Sequence, residues 1–578
     1  MAHILFYLWG LGAAQAQEVQ WSVAGAIQTD IRYGIDTIDV GEWYAPLRQD
    51  PGFIRNQNLI NTKITAKTNG GRFVWDGDFV MMGFPDAIDS TYALSRRERV
   101  DPFRFEVHNA YAEAWDLGGL RGLDLRVGQQ KIQWGVGDQF NPTNNLNADD
   151  LEDPLLFGDQ LGNVMARLDY TPIPALSLSA VLVPVFKPAL LPQTGRIALG
   201  LTDRIPIDDG PLRRELFASN ALLQDFALSW PTVVNGVSPQ LPENTAENMQ
   251  WSARVAGTLG LHDLALSYYS GRFDFPVATN NHTTAAPGDQ CNPDDPEDCI
   301  KGLLQTVASV GFPKMQVWGL NAAGEVDPLG WAVRRAKPIG YRVELAYINP
   351  DRQTMSVTND ELALGITTQP AGEYAYQLDG GGRPEVLATD PFWKWTAGLD
   401  YTFGKHVYVN AQWVHGMPDE FGAGDWASGG GGATQRQAEL LTYDDPLTCN
   451  VLNLTTDPRG QGERCVKEWT RPKIGDYGVI GTDLTFRQTT LRVFTILDFT
   501  PITVSTYDTA AAKRVETRYA WNTETGRSMV LYPELKQSFG NGLSLSGGAV
   551  VMIGNPWTKF GDPATGGTQI FTRARYAF

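Results

Sequence analysis

Few residues in this sequence are spaced for covalent chemistry. The six histidines are His3, His108, His262, His282, His406 and His415. A barrel hydrolase gathers a Ser, a His and an Asn or Asp at one rim, and no recognisable nucleophile motif stands near any of these histidines. His262 and His406 sit beside short turns, His282 in a long connection and His415 near a strand end. The chain is therefore read as a non-enzyme, with an outer-membrane hydrolase dependent on His415 ranked last. The four cysteines form two sequence-local pairs, Cys291 with Cys299 and Cys449 with Cys465, each in a polar stretch bearing Asp and Pro. An even count in an exported chain predicts two disulfides, with local pairing favoured among three connectivities. Neither Cys-x-x-Cys nor a His partner at zinc spacing occurs, so no metal centre is expected. Asp138, Asp149, Asp150, Glu152 and Asp153 crowd the stretch 134–162. Carboxylates at a loop can bind Ca²⁺, but dedicated ligand spacing is missing. The stretch is read as a solvated acidic loop, and no cofactor is expected.

The remaining chemistry is that of a charged surface. Net charge is −18, which argues against a nucleic-acid partner. Segments of alternating polarity run the length of the chain. In 20–34, Trp21, Val23, Ile27, Ile31 and Tyr33 alternate with Gln20, Ser22, Gln28, Asp30 and Arg32. In 391–403, Trp393, Trp395, Leu399, Tyr401 and Phe403 alternate with Lys394, Thr396, Asp400 and Thr402. Two-residue periodicity marks strands with one apolar face, and aromatics at both ends of that face mark the two interfaces of a membrane barrel. The polar phase then defines a mixed-charge interior. Its expected lining is Arg32, Lys63, Arg126, Arg167, Arg254, Arg342, Glu344, Lys394, Asp400, Arg492, Glu534, Lys536, Arg573 and Arg575. Charges turned to lipid at the bilayer midplane would cost about 2–4 kcal/mol each.

The elements that carry these faces number about eighteen: 20–34, 58–68, 72–84, 105–116, 122–133, 163–171, 175–186, 249–260, 262–272, 314–326, 338–348, 391–403, 405–416, 475–487, 489–500, 526–538, 541–553 and 568–578. The stretch 105–116 is irregular, because it puts Glu113 on one face with Tyr111 and Trp115. Connections alternate short and long, the long ones including 187–248, 273–313, 349–390 and 417–474. The expected fold is an all-β, antiparallel up-and-down transmembrane barrel with short periplasmic turns and long extracellular loops. Residues 1–16 read as a signal peptide, with apolar Ile4 to Ala14 and an Ala14-Gln15-Ala16 cleavage pattern, and 17–578 as one barrel domain. Segment 187–248 is apolar for a loop, with a helical patch from Leu212 to Leu228, and is expected to serve as a lid or constriction. The run Gly429 to Gly432 reads as a flexible tip. At the C-terminus Ile570, Thr572, Ala574, Tyr576 and Phe578 share one face, and Tyr576 and Phe578 resemble the assembly signal of outer-membrane barrels.

One stretch is distinctive. Residues 126–142 read Arg-Val-Gly-Gln-Gln-Lys-Ile-Gln-Trp-Gly-Val-Gly-Asp-Gln-Phe-Asn-Pro, followed by Asn-Leu-Asn-Ala-Asp-Asp-Leu-Glu-Asp-Pro-Leu. Gly128, Gln130, Trp134, Gly135 and Asp138 resemble the motif of a family of large Gram-negative outer-membrane barrels of unassigned function, related in architecture to alginate-export porins. Asn147-Ala148-Asp149 stands where that family has Asn-Pro-x-Asp. The resemblance implies an 18-stranded barrel and passage across the outer membrane. Independently, the apolar phase slips near Gln129-Gln130, which predicts a bulge or the exit of the strand from the membrane.

The expected function is a porin-like channel or export conduit passing solute or polymer. A structural or adhesive barrel with a sealed lumen is the alternative. Expected partners are outer-membrane lipid and lipopolysaccharide, the barrel-assembly machinery and a periplasmic export partner.

Overall fold

The structure, a computed structural model, describes residues 19–578 except 86–87, 89, 154–157, 193–229, 328–336, 365–367, 375–384, 388–389, 422–466, 473, 509–512, 557 and 563–564. The expected signal peptide, the helical patch at 212–228, the glycine run and the pair Cys449 and Cys465 lie outside the described residues.

Eighteen strands form one closed antiparallel sheet. They are β1 (Gln20–Gly34), β2 (Gly52–Thr68), β3 (Gly71–Met82), β4 (Phe103–Ala114), β5 (Leu123–Gln130), β6 (Asn163–Ile173), β7 (Leu176–Val183), β8 (Gln250–Leu259), β9 (His262–Arg272), β10 (Lys314–Val326), β11 (Ile339–Pro350), β12 (Phe392–Phe403), β13 (Val407–His415), β14 (Asp476–Phe486), β15 (Thr489–Asp498), β16 (Ser528–Ser538), β17 (Leu543–Gly554) and β18 (Gln569–Ala577). Each pairs with its sequence neighbours, and β18 closes on β1 with Ile27 opposite Tyr576. Closure leaves no unpaired edge, as the hydrocarbon layer requires. At the seam, Gly25 and Phe578 exchange both backbone hydrogen bonds at 2.9 Å.

The outer face is apolar and carries two aromatic belts. At the end with long connections, exposed Phe103, Trp251, Trp318, Trp393 and Trp413 ring the barrel. Their rings form a chain, with Trp251 to Tyr268 at 5.0 Å, Tyr268 to Trp318 at 4.5 Å and Tyr347 to Trp393 at 4.7 Å. At the end with short turns stand exposed Trp21, Phe73, Phe403, Phe486, Tyr576 and Phe578. Two belts flanking an apolar band on a closed barrel place the protein in the outer membrane of a Gram-negative bacterium.

The irregular stretch 105–116 has a local cause. The ladder between β3 and β4 slips between Asp76 and Gly77, which face Asn109 and Val107, so His108 is an extra residue. Phe103 and Phe105 face lipid, while Tyr111 and Glu113, beyond the bulge, face the lumen.

Two expectations need correction. The strand expected over 122–133 stops at Gln130, where the chain turns inward. The long connections are also not plain loops. Strands Val277–Asn292 and Asp295–Gly311 form a long hairpin joined by Cys291–Cys299. Thr232–Pro239 and Ser356–Asn359 add to it in parallel, and Gly372–Tyr374 completes a five-stranded sheet outside the barrel. Runs such as Val307-Ala308-Ser309-Val310 alternate like barrel strands, but they pair with other connections rather than with the wall.

Candidate functional site

The lumen is occupied by the motif stretch itself. Gly128 has φ +135°, and a Cβ there would lie 2.3 Å from the Ala110 carbonyl oxygen and 2.7 Å from Tyr111 Cα. Only glycine suits that backbone and that approach. Two residues on, the ladder ends. The Lys131 N–H donates to Asn109 Oδ1 at 3.2 Å instead of continuing it. Asn147 then stitches the departing chain to the returning one. Its Oδ1 accepts from Ile132 N–H at 2.8 Å, and its Nδ2 donates to the carbonyls of Gln130 at 3.0 Å and Leu161 at 2.7 Å. Gln130, fully buried, donates to the Met165 carbonyl at 3.1 Å. Gly135 is set by close approach, since a Cβ there would lie 2.4 Å from the Asn141 side chain.

The described residues of segment 131–162 cross the lumen and dock on both walls. On the β8–β13 side, the Arg254 guanidinium lies over the buried Trp134 ring at 5.8 Å, and Asn321 Nδ2 donates to the Trp134 carbonyl at 2.8 Å. The Glu344 carboxylate accepts the N–H groups of Val136 and Gly137 and the hydroxyl of Thr143 at 2.9 Å. A buried carboxylate is retained where such donors replace its water. Thr396 donates to the Phe140 carbonyl at 2.9 Å. Asp138 pairs with Arg342, which also reaches Asp400, and accepts from Asn410 and Gln412.

On the opposite wall, Glu152 takes Arg104 through both oxygens at 2.9 and 2.7 Å. Asp153 takes Arg32 through both oxygens at 2.7 and 2.6 Å, with Arg55 at 3.6 Å. Arg32 also holds Asp30, which pairs with Arg573 at 2.8 Å. Removing one partner of a buried pair costs about 3–5 kcal/mol, because the other charge is stranded. The acidic stretch is thus not a solvated loop. Asp138, Glu152 and Asp153 face arginines of the barrel wall that lie far away in sequence.

Apolar side chains fill the space around this segment. Trp134 and Leu146, with Phe273, Phe275 and Phe421 from other connections, pack on Met165, Val181, Tyr269 and Val317 of the wall. Phe140, Met417 and Phe560 pack on Val414, Tyr477, Ile496 and Val530. Among the described residues the filling is confined to the extracellular half. Along β8 the lumen-facing Gln250 and Ser252 are buried at 5% and 2% exposure, Arg254 is half-buried and Thr258 is exposed. Along β1 exposed Gln20 and Ser22 give way to buried Asp30 and Arg32. On β18, Gln569 and Phe571 are buried and Arg575 is exposed. Among the described residues the periplasmic half is thus a vestibule lined by exposed polar side chains.

The expected lining residues divide between these halves. Lys63, Arg492, Lys536 and Arg575 are exposed in the vestibule, with Arg492 on Asp483 at 2.8 Å. Arg126 pairs with Glu113 at 2.9 Å over the Tyr111 ring, Arg167 pairs with Asp169 at 2.7 Å, and Glu534 accepts from Tyr532 at 3.0 Å. Arg32, Glu344 and Lys394 lie in the filled half, and Lys394 donates to the Met417 carbonyl at 2.7 Å. Beside Lys394 a small, partly open cavity lies between the segment and the wall, lined by Asn141, Asn145, Phe186, Asp149 and Asp274 among others. The Asp149 N–H donates to Asp274 Oδ2 at 2.7 Å. Burial pushes the Asp274 carboxyl up to about 6, and burial with the neighbouring Asp274 charge raises Asp149 well above the usual range. Sequence reasoning looked for a constriction in 187–248, of which 193–229 lie outside the described residues, and did not foresee the inward course of 131–162. The signal it passed over was the run of Ile132, Trp134, Phe140 and Leu146, too apolar for an exposed loop.

A family model described as a protein of unknown function (DUF1302) matches residues 55–458, which include the whole inward segment. The chain belongs to that family. No curated protein matches the sequence. Among solved structures, the DUF1302 chain is similar to the outer membrane channel DcaP of Acinetobacter baumannii, at 8% identity and TM-score 0.34, covering 98% of this chain and 99% of that one. It is similar to OccAB2 of the same organism at 8% identity and TM-score 0.40, covering 96% and 98%. OccK8 (OprE) of Pseudomonas aeruginosa gives 8% identity and TM-score 0.39, covering 97% and 98%.

Proposed function

We propose that this protein is a porin-like channel whose passage is set by segment 131–162. The observation that carries the reading is the docking of that segment across the lumen, above a vestibule open to the periplasm. An 18-stranded barrel encloses an aqueous path unless chain folds into it, so whatever crosses must pass the inward segment. The filled outer half favours small polar solutes over polymer. The balance of ion pairs there, with Arg32, Arg104 and Arg342 matched by Asp153, Glu152 and Asp138, favours weak ion selectivity.

The test is single-channel conductance of the refolded chain in a planar bilayer, beside a variant with residues 136–148 replaced by a short Gly-Ser linker. The expected result is a small steady conductance in the intact protein and a several-fold larger one in the variant. Equal conductance in both would remove the segment from the constriction. Silence in both, with the barrel shown to be folded, would overturn the channel reading and leave a sealed structural or adhesive barrel.

A further inference from the structure

The bulge in β4 brings together three side chains that neither the motif nor the lumen filling uses. His108, the extra residue, turns its ring to the lumen face that carries Glu106, opposite Asp78 on β3. The His108 Nε2 lies 3.2 Å from Asp78 Oδ2. Each of Asp78, Glu106 and His108 offers a ligand atom, and these atoms all lie within 4.8 Å of one another. Four ligands around an ion with bonds of about 2.0–2.2 Å sit about 3.3 Å apart, so the His–Asp separation already matches a coordination edge. Neighbours orient both carboxylates. Asn61 Nδ2 donates to Asp78 Oδ1 at 2.6 Å, and Arg104 Nε donates to Glu106 Oε1. Each carboxylate is thus held through one oxygen and has the other to give, the outer support that metal sites use. The side chains are 14%, 33% and 26% exposed for Asp78, Glu106 and His108, so an ion can reach them through lumen water.

We propose that Asp78, Glu106 and His108 bind one divalent first-row cation of the zinc type on the lumen wall, with water completing its coordination. One imidazole and two carboxylates suit such an ion, whereas Ca²⁺ and Mg²⁺ prefer all-oxygen sets. The nearby cations do not displace it. Lys131 is committed to Asp159 at 2.8 Å, and Arg104 is shared with Glu152. The site sits at the root of the inward segment. Gln129 Nε2 donates to the Val107 carbonyl on one side of the bulge, and Lys131 N–H to Asn109 Oδ1 on the other. A bound ion therefore stiffens the backbone from which the segment departs.

The experiment uses the tag-free full barrel, refolded in detergent and stripped with chelator. Zn²⁺ is titrated calorimetrically, and Co²⁺ is followed by its visible absorption. One saturable equivalent per chain is expected. His108→Ala should weaken it at least about 100-fold and Asn61→Ala about 10- to 100-fold. Folding of each variant is checked by its heat-dependent gel migration, and Glu106→Gln substitutes for any variant that does not fold. Absence of saturable binding in the native chain overturns the site and leaves a plain His108–Asp78 hydrogen bond. So does binding that His108→Ala and Glu106→Gln leave unchanged. Neither result touches the channel reading, which rests on conductance.

Discussion

Asp274 and Asp149 make the lumen filling sensitive to pH. Burial raises both carboxyls, so their protonated forms are favoured while the segment is seated. Below the ordinary value of 3.8 they are neutral whether seated or not. As pH rises from there through about 6, the unseated form ionises first, and the seated arrangement loses stability. Conductance should therefore rise between about pH 4 and 6 in bilayer recordings, and Asp274→Asn should flatten that rise. A flat profile in the native chain would show that the pair does not hold the segment. At this scale the sequence told half the story. Arg32 and Arg573 could be assigned to the interior because a two-residue period fixes which way each side chain points. Asp149 and Asp153 could not, because they stand outside any period. The partner of Asp153 is 121 residues away, and nothing near it in the chain announces an arginine.

Among the elements, β5 shows how local backbone decides the constriction. Gly128→Ala would drive a Cβ into the Ala110 carbonyl at a φ that L-residues avoid. The expected loss is about 1–3 kcal/mol, read as a lower urea midpoint for the folded, heat-modifiable form. An unchanged midpoint would mean that the strand end adapts freely. All eighteen barrel strands were legible from alternation, β1, β9 and β10 to the residue, because burial on one face and lipid on the other enforce it. The bulge at His108 was visible only as a conflict, with Glu113 sharing a face with Tyr111. Glu106 and His108, two residues apart on one strand, were the unread sign of a shared face. The extracellular sheet escaped notice because its strands alternate too, and period alone does not say which partner a strand will choose.

Over the whole molecule, the wall and its filling meet water differently at the two ends. Cysteines introduced in place of Thr258 and Ser252, on one face of β8, should separate these halves. A water-soluble thiol reagent should label Thr258→Cys quickly and Ser252→Cys at least about tenfold more slowly, since exposure of the thiolate governs its rate. Equal rates would show that the outer half is wet. The closed barrel and its orientation could be inferred from the sequence, through strand number and the rhythm of short and long connections. The inward course of 131–162 could not. Nothing in a short motif such as 126–142 says that it enters a barrel, and the side chains that seat it there come from distant strands.

The segment that narrows the lumen and the residues that receive it lie far apart in the chain. Each barrel strand pairs with the strand before it in the chain, so the wall needs only contacts between neighbours. Trp134, Val136 and Phe140 belong to the first quarter of the chain, but Asn321, Glu344 and Thr396, which hold them, follow some 180 to 260 residues later. The wall is thus knit by neighbours and its filling by distant strands, so a change that loosens the filling leaves the barrel standing around an emptier lumen.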